Sequence, residues 1–311
     1  MKRIGNLFKS ICSVDNLKLA DKKASKGKSK QSGVITHKAN QEENIVKLRK
    51  TLIEKSFTTS RYHVFKISEG KEREIHRLPY YPDRIVHHAI LNVLEPIFVR
   101  SFVSDTYSCI KGRGIHKASY KLRRDIKDNN FCLKLDVKKF YENIDHDILK
   151  ELLRRKFKDQ DLLWLLDDII DSTNGVPIGN YLSQFFANFY LSGFDHWIKE
   201  VKRVRSYYRY CDDIVILGNN KQELHNLLGE IKVYLGDLKL TVKPNYQVFP
   251  VSRGIDFVGY VHFQTHTLLR KSIKKRFIKM LKFNRNEKSV ASYDGWLLHS
   301  NSINLKRKYG Q

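Results

Sequence analysis

Two adjacent carboxylates, Asp212 and Asp213, lie between two runs of apolar, β-branched and aromatic residues. Such runs predict two strands, and the acidic pair predicts the tight turn that joins them. Asp136 lies near the end of another predicted strand, residues 131–137. Three carboxylates at the ends of neighbouring strands can hold two Mg²⁺ ions about 3.5–4 Å apart, the arrangement of polymerases and nucleases. The alternative for the pair alone is an ordinary Asp-Asp hairpin turn.

The elements that must position these carboxylates follow from the spacing of apolar residues. A strand pair is predicted within residues 59–79, and further strands at 131–137, 240–249 and 255–263. Helices are predicted from residue 43 and at 85–97, 115–127, 147–157, 162–170, 182–201 and 222–235, with a basic helical tail from Lys271. Aromatic residues of the 182–201 helix are expected in the core. This order predicts an α+β fold with antiparallel pairing across its sheet.

The charge of the chain indicates a polyanionic partner. Lysine and arginine total 58 against 33 aspartate and glutamate, a formal net charge of +25. Such an excess favours nucleic acid through phosphate neutralisation and counterion release. A ribosomal-type binding protein or a general surface-charge bias is the alternative. The length of 311 residues is enough for a sizeable core divided among subdomains.

Several classes of site and location are not indicated. The four cysteines have no Cys-x-x-Cys or Cys/His ligand spacing, so neither a zinc site nor a disulfide framework is expected. No apolar run approaches the roughly 18 residues of a membrane span, and the basic start lacks the apolar core of a secretory signal. A reducing cytoplasm and no membrane partner are therefore predicted. The Lys-, Ser- and Gly-rich stretch at 22–30 predicts a mobile segment, either solvated or in contact with RNA.

Residues 210–213, Tyr-Cys-Asp-Asp, resemble the Tyr-x-Asp-Asp motif of reverse transcriptases. Residues 136–141 resemble the first catalytic segment of that family, with an aromatic residue five positions after the Asp. The likeness extends from about Leu19 to the C-terminus, and it includes the fingers segment (71–79 and 83–86), the next motif (111–114) and the primer-grip hairpin (257–260). One such motif is a weak signal, whereas a set of them in the family's order is a strong one.

The resemblance implies a right-hand polymerase fold of the α+β class, with fingers, an antiparallel-sheet palm and a short helical thumb. The implied domains are a basic N-terminal extension (1–43), fingers (44–127), palm (128–264, with a helical insert at 145–201) and thumb (265–311). No endonuclease or RNase H module is expected after Gln311.

The resemblance also assigns roles to individual residues. Asp136, Asp212 and Asp213 are the expected catalytic residues and metal ligands, with the backbone carbonyl of Val137 as an extra ligand. They would hold two Mg²⁺ ions per active site, for which Mn²⁺ can substitute. One metal lowers the pKa of the attacking 3′-hydroxyl, and the other neutralises charge on the pyrophosphate that leaves a dNTP. Lys243 is the nearest candidate for the palm lysine that protonates pyrophosphate in the family.

Further contacts with substrates are expected outside the carboxylates. Lys71 and Arg73 are the candidates that bind the dNTP triphosphate, unless they are solvated charges on a hairpin edge. Tyr141 is expected to place its ring against the sugar C2′ and to exclude a 2′-hydroxyl, unless it is a core tyrosine. The primer grip and the nucleic-acid contacts are expected at Phe257, Val258, Gly259, Lys111 and Arg113.

The segment 175–184 departs from the pattern of most reverse transcriptases, which have Pro-Gln-Gly followed by Ser-Pro. Here Ile178 replaces the Gln and Gln184 replaces the Pro, which resembles the Gly-x-x-x-Ser-Gln signature of reverse transcriptases from diversity-generating retroelements. Gly179 and Ser183 are retained, so a close backbone approach and a helix N-cap are expected. Loss of a polar amide near the incoming nucleotide predicts lower fidelity.

The retroelement resemblance implies its partners: a template-repeat RNA, a DNA or RNA primer, dNTPs and a small basic helical accessory protein. The enzyme would be bacterial or phage-encoded, and its mutagenic cDNA would replace a variable repeat. One alternative is a retron or phage-defence reverse transcriptase with a dedicated structured noncoding RNA. A second alternative is a non-catalytic RNA-binding scaffold on a polymerase fold, which an intact set of three aspartates disfavours.

Overall fold

The computed structural model describes residues 3–68, 72–283 and 286–309. The helices are α1 (Phe8–Ile11), α2 (Val14–Ser25), α3 (Ser32–Ala39), α4 (Gln41–Ile53), α5 (Ile85–Ser101), α6 (Ile115–Asp125), α7 (His146–Lys156), α8 (Gln160–Asp171), α9 (Tyr181–Tyr190), α10 (Ser192–His196), α11 (Lys221–Asp237), α12 (Lys271–Phe283), α13 (Glu287–Leu297) and α14 (Ile303–Tyr309). The strands are β1 (His63–Ser68), β2 (Glu72–Arg77), β3 (Phe131–Asp136), β4 (Tyr207–Tyr210), β5 (Asp213–Gly218), β6 (Gln247–Pro250), β7 (Ile255–Phe257), β8 (Tyr260–His262) and β9 (Thr267–Leu269).

The chain forms two compact units, each assembled from segments that are distant in sequence. The first unit comprises Met1–Phe102, Lys139–Gly193 and Leu238–Leu240, and the second comprises Val103–Lys138, Phe194–Asp237 and Thr241–Gln311. The division into N-terminal extension, fingers, palm and thumb stays a prediction. No helix in the described part of the chain has both the length and the apolar composition needed to cross a membrane.

Helix α5 is the centre of the first unit. Its Ile85, Ala89, Ile90, Leu94 and Phe98 are buried, at the spacing of one helix face. This face packs against α2 and α9. The antiparallel hairpin β1–β2 belongs to the same unit, and it confirms the strand pair predicted within residues 59–79.

The prediction of a mobile segment at residues 22–30 is wrong for its first part, because residues 22–25 lie in helix α2. The hydroxyl of Ser13 accepts a hydrogen bond from the backbone N–H of Asn16 and caps this helix. Leu17, Ala20 and Ala24 are buried on its inner face. The lysines are compatible with a packed helix because apolar and small residues recur at helical spacing between them.

The main sheet lies in the second unit and has the strand order β4-β5-β3-β6, with every pair antiparallel. Leu133, Leu135, Ile214 and Ile216 are buried in its two central strands. Helices α6 and α11 pack against the sheet. The predicted α+β class with antiparallel pairing is therefore confirmed.

A second, three-stranded antiparallel sheet, β7-β8-β9, belongs to the same unit. Phe257 and Tyr260 of this sheet share a core with Phe277 of α12 and Leu297 of α13. Strands β7 and β8 thus form the hairpin expected at 257–260, within the predicted strand segment 255–263. The predicted basic tail is helical, as α12, α13 and α14.

Two predicted elements are divided in the structure. The helix expected at 182–201 consists of α9, α10 and a π-helical turn at Trp197–Val201, with a break at Leu191. Leu191 and Phe194, at and after that break, are both buried, so the spacing of apolar residues did not reveal it. The aromatic residues expected in the core are buried, except for the half-buried Trp197. The strand expected at 240–249 is reduced to β6, and Val242 forms only an isolated bridge to Val137. Pro244 lacks the N–H that a continuous ladder requires.

Candidate active site

Strands β3 and β5 bring the three candidate carboxylates together. Asp136, the last residue of β3, is the cross-strand partner of Asp213, the first residue of β5. Asp212 directly precedes Asp213, and its carbonyl accepts a hydrogen bond from the N–H of Val137 at 3.2 Å. The turn between β4 and β5 consists of Cys211 and Asp212 rather than the two aspartates, with Cys211 in the left-handed region at φ 55°.

Burial and mutual repulsion oppose ionisation of these carboxyl groups. The pKa of Asp212 is raised by burial, by the charge of Asp136 and by a hydrogen bond with the Asp136 carboxyl group. Burial raises the pKa of Asp213 to about 6, against the opposing charge of Lys134 and with support from the charges of Asp136 and Asp212. A cation at this position would relieve both effects.

Two lysines provide part of the compensating charge. The Lys243 ammonium contacts the Asp136 carboxylate, and the Lys243 N–H donates to the Asp136 carbonyl at 2.8 Å. Lys134 Nζ lies 3.8 Å from Asp213 Oδ1 and also contacts the Asp256 carbonyl. Lys134 and Asp136 lie two positions apart on β3, so the alternation of a strand places their side chains on one face. That spacing was the signal by which Lys134 could have been found in the sequence.

The donor atoms at this site fit a hard divalent cation. Asp213 Oδ1 is buried and has no hydrogen-bond partner among the described residues. The candidate side-chain ligands are all carboxylate oxygens, which suit Mg²⁺. Within the described ranges, no three His, Cys, Asp or Glu side chains are arranged so that they could hold a metal ion together, and the Lys243 ammonium lies against Asp136. The unpartnered Asp213 oxygen is therefore the structural feature of this site that a cation would satisfy.

A cavity of about 500 Å³ adjoins these carboxylates and is lined by Asp136 and Asp213. Arg253, Arg270 and Asp256 also line this cavity. Arg270 Nε donates to Asp256 Oδ1 at 2.6 Å, which fixes the guanidinium at the cavity wall. The cavity thus combines carboxylates that can bind a metal with cationic groups that can bind phosphate.

A buried ion pair, which we call the Arg209 clamp, supports the turn that carries Asp212. Arg209 and Asp195 are both fully buried. Arg209 Nε and Nη2 donate to the two Asp195 oxygens at 2.7 and 2.5 Å, and Nη1 donates to the Cys211 carbonyl at 3.1 Å. The hydroxyls of Tyr207 and Thr106 donate to the same carboxylate at 2.5 and 3.0 Å. Sequence analysis missed this clamp, although a lone Arg within an aromatic strand was a usable signal.

Two predicted nucleotide contacts, Tyr141 and Ile178, lie in the first unit. Tyr141 is half-buried, and its carbonyl accepts a hydrogen bond from the Val176 N–H at 2.8 Å. The Ile178 carbonyl accepts from the His76 N–H at 3.0 Å. Gly179 has φ 120°, and a Cβ there would lie 2.8 Å from the His76 carbonyl oxygen. The close backbone approach expected at Gly179 is therefore present.

The expectation that Ser183 caps a helix is wrong. Helix α9 begins at Tyr181 after Asn180, and it has no side-chain cap hydrogen bond. Ser183 is the third residue of the helix and is buried, whereas Gln184 is half-buried on the next position. The segment 175–180 is irregular, with Gly175 and Gly179 at positive φ, and α9 begins directly after it, two residues ahead of the serine.

The remaining predicted residues have different local roles. Val258 and Gly259 form the β7–β8 turn with φ of 44° and 89°, and a Cβ on Gly259 would overlap the Trp296 ring. Arg113 Nη1 donates to the carbonyls of Val103 and Thr106 at 2.6 and 3.2 Å, so this guanidinium is engaged by the backbone. Phe257 is buried and Lys111 is exposed, whereas Lys71 and the side chain of Arg73 lie outside the described residues.

Residues 64–262 match the family described as reverse transcriptase (RNA-dependent DNA polymerase). This chain is a member of the reverse transcriptase family. Similar members include protein YkfC of Escherichia coli K12, 26% identical over 66% of this chain and 65% of YkfC. Another is the group II intron-encoded protein LtrA of Lactococcus lactis subsp. cremoris, 25% identical over 52% of this chain and 29% of LtrA. The chain thus spans less than two thirds of these curated relatives.

The fold is that of a right-hand polymerase. The structure of apo telomerase from Candida tropicalis matches with a TM-score of 0.53 and 12% identity, over 69% of this chain and 49% of the telomerase chain. At this identity the likeness establishes the fold alone. Together with the family match, it confirms the fold class predicted from the sequence.

Proposed function

We propose that this chain catalyses RNA-directed DNA synthesis by two-metal nucleotidyl transfer. The observation that supports this most is the register of β3 and β5, which places Asp136 opposite Asp213 with Asp212 beside it. Burial and neighbouring charge hinder ionisation of Asp212 and Asp213. A protein that used this fold only as an RNA-binding scaffold would gain nothing from that arrangement.

Asp136, Asp212 and Asp213, with the Val137 carbonyl, would hold two Mg²⁺ or Mn²⁺ ions. When bound, these metals activate the primer 3′-hydroxyl and neutralise charge on the departing pyrophosphate. In the chain itself, Lys134 and Lys243 offset carboxylate charge at the same site.

Other residues are proposed to bind the incoming nucleotide and the primer–template. Lys71 and Arg73 bind the dNTP triphosphate, and Tyr141 excludes a 2′-hydroxyl. The proposed nucleic-acid contacts are the primer grip at the Val258–Gly259 turn, together with Lys111 and Arg113; Phe257 is buried, so its proposed part in the primer grip is to support that turn from the core.

The proposed biological role is error-prone cDNA synthesis in a diversity-generating retroelement. The feature that supports it is Ile178, which stands where most of the family has a glutamine. Ile178 lines a cavity of about 570 Å³ in the first unit together with His76 and Lys66, so its side chain borders open space rather than a packed core. Its apolar side chain cannot supply the hydrogen bond of an amide, which reduces discrimination between nucleotides. The proposed partners are a template-repeat RNA, a primer and a small basic accessory protein; the likeness to an intron-encoded protein supports an RNA template.

The test of this role is the error spectrum of cDNA made on a defined RNA. The unmodified enzyme should misincorporate frequently opposite template adenine, and Ile178→Gln should lower that rate several-fold, since one hydrogen bond contributes about 0.5–1.5 kcal/mol. A uniformly low error rate in the unmodified enzyme would contradict the retroelement role and favour a retron or phage-defence polymerase. Adenine-differing repeats beside the coding region would support the retroelement role independently.

A further inference from the structure

A cavity of about 520 Å³ lies in the first unit, between the start of α3 and the segment that follows β2. Arg77 and Arg84 line it, together with polar side chains of α3 and α4, and none of its described lining residues is Asp or Glu. A cavity with two guanidiniums and no carboxylate has the composition of an anion site.

The cations around this cavity lack a compensating carboxylate. Neither Arg77 nor Arg84 makes an ion pair with a described carboxylate side chain. Burial and the charge of Arg77 lower the pKa of Arg84. Burial and the charges of both arginines lower the pKa of Lys28, a residue of the basic stretch 22–30. Three cations that repel one another are stabilised when an external anion binds between them.

Helix α3 adds a second source of positive potential. Its first residues, Ser32 and Gly33, line the cavity. The preceding residue, Gln31, makes no side-chain cap hydrogen bond. The first-turn N–H groups of a helix have no partner within the helix, and they favour an anion at that end.

The walls of the cavity are held in place by a buried network. Asp21 is fully buried and accepts hydrogen bonds from Lys38 at 2.7 Å, from Gln41 at 2.5 Å and from the Tyr80 hydroxyl. Asp21 pairs with Lys38 and lies 3.4 Å from His37 behind the cavity wall, and it makes no ion pair with either arginine. Walls ordered before binding reduce the entropy lost when a ligand enters.

We propose that this cavity, with Arg77, Arg84 and the start of α3 as its binding groups, binds backbone phosphates of an RNA strand. The planar guanidinium matches the geometry of a phosphate diester and binds it through paired hydrogen bonds. The choice of RNA as the source of the phosphate rests on the proposed function, because an RNA template is the polyanion that such an enzyme binds. A free nucleotide is the other source of the same chemistry.

The test measures affinity, not catalysis. Fluorescence anisotropy of a labelled, unstructured 20-nucleotide RNA is followed without divalent metal or dNTPs. Arg77→Gln/Arg84→Gln should weaken binding by about tenfold or more, because two charge-assisted contacts with phosphate are lost. The slope of log affinity against log salt should fall by about 1.4 for two lost phosphate contacts on a single strand. The matched control, Arg49→Gln/Arg100→Gln, removes two exposed arginines of α4 and α5 and should leave the slope unchanged.

A second variant separates binding from stability. Ser32→Asp places a negative charge in the first turn of α3, where it interacts favourably with the helix dipole. It should therefore preserve the melting temperature while weakening RNA binding. If Arg77→Gln/Arg84→Gln and Ser32→Asp both bind the RNA as tightly as the control variant does, the proposal is overturned. Loss of ATP or inorganic phosphate binding with unchanged RNA affinity would also overturn it, in favour of a nucleotide site.

The inference and the proposed polymerase activity can fail separately. Asp212→Asn should bind the same RNA as tightly as the unmodified protein. If the unmodified protein does not extend primers but the cavity variants still lose RNA affinity, the proposed activity fails and the RNA site stands. If primer extension is normal and the cavity variants bind RNA like the control, the RNA site fails alone.

Discussion

Arg209→Lys tests whether the Arg209 clamp positions the turn that carries Asp212. Lysine keeps the positive charge opposite Asp195, but its single ammonium replaces a fork that reaches both Asp195 oxygens and the Cys211 carbonyl. The Cys211 carbonyl then loses the hydrogen bond from Arg209 Nη1, while the backbone of Cys211 must still adopt φ 55°. We expect the turn to become less ordered and Asp212 to be placed less accurately.

The expected size of the effect follows from the number of contacts that change. One hydrogen bond from a charged donor to the Cys211 carbonyl contributes about 1.5–3 kcal/mol. If the transition state requires the fixed turn, kcat should fall by about 10- to 150-fold. Removing the charge entirely, as in Arg209→Met, would leave Asp195 buried and unpaired at a cost of about 3–5 kcal/mol in folding stability. For that reason Arg209→Lys is the informative variant.

The matched control is Tyr207→Phe, which removes another hydrogen bond to Asp195 without touching the turn. Both variants should lower the free energy of unfolding in urea, but only Arg209→Lys should lower kcat in primer extension. The KM for dNTP should change little, because dNTP contacts are proposed elsewhere, and the Mg²⁺ concentration for half-maximal activity should rise. If both variants keep the same kcat, the clamp serves stability alone and the reasoning is refuted.

Two other predictions concern single residues of the proposed site. Tyr141→Ala should raise incorporation of rNTP relative to dNTP, because removal of the ring opens space for a 2′-hydroxyl; an unchanged ratio in competitive primer extension would leave Tyr141 with a packing role only. The pKa of Asp213 is raised to about 6 in the metal-free folded protein, whereas an aspartate of the unfolded chain loses its proton near pH 4. Between these pH values the folded state binds more protons than the unfolded state. The free energy of unfolding should therefore fall as pH rises from about 4 to 6. Urea titrations without metal should show a flatter pH dependence for Asp213→Asn, and identical slopes would contradict the assignment.

The central strands were predictable because their signals are local. The continuous apolar run Ile214–Leu217 marks β5 as a strand buried on both faces, and the alternation of Leu133, Lys134, Leu135 and Asp136 marks the end of β3. The family motifs then indicated which carboxylates should meet. The register Asp136–Asp213 follows from antiparallel pairing of a strand that ends at Asp136 with one that begins at Asp213.

The contacts around those carboxylates were not predictable, because they join residues that are distant in sequence or lie in irregular segments. The family resemblance pointed to Lys243, but not to its contact with Asp136, because it lies in a segment without regular structure where periodicity gives no side-chain direction. Asp195 lies in α10 and Arg209 in β4, 14 residues apart and in different kinds of element, so no local pattern indicated that they meet. The N-terminal helices were obscured by their lysines, whose charge resembles that of a disordered tail.

The central claim is that the three aspartates form the catalytic metal site, and Asp212→Asn tests it most directly. The experiment compares Mg²⁺-dependent dNTP incorporation on an RNA template with affinity for the same RNA, with Asp136→Asn measured in parallel. Removing a ligand charge should abolish incorporation, while RNA affinity should stay close to that of the unmodified protein because phosphate contacts by lysine and arginine dominate it. Near-normal DNA synthesis by either variant would contradict the assignment of that residue to the site.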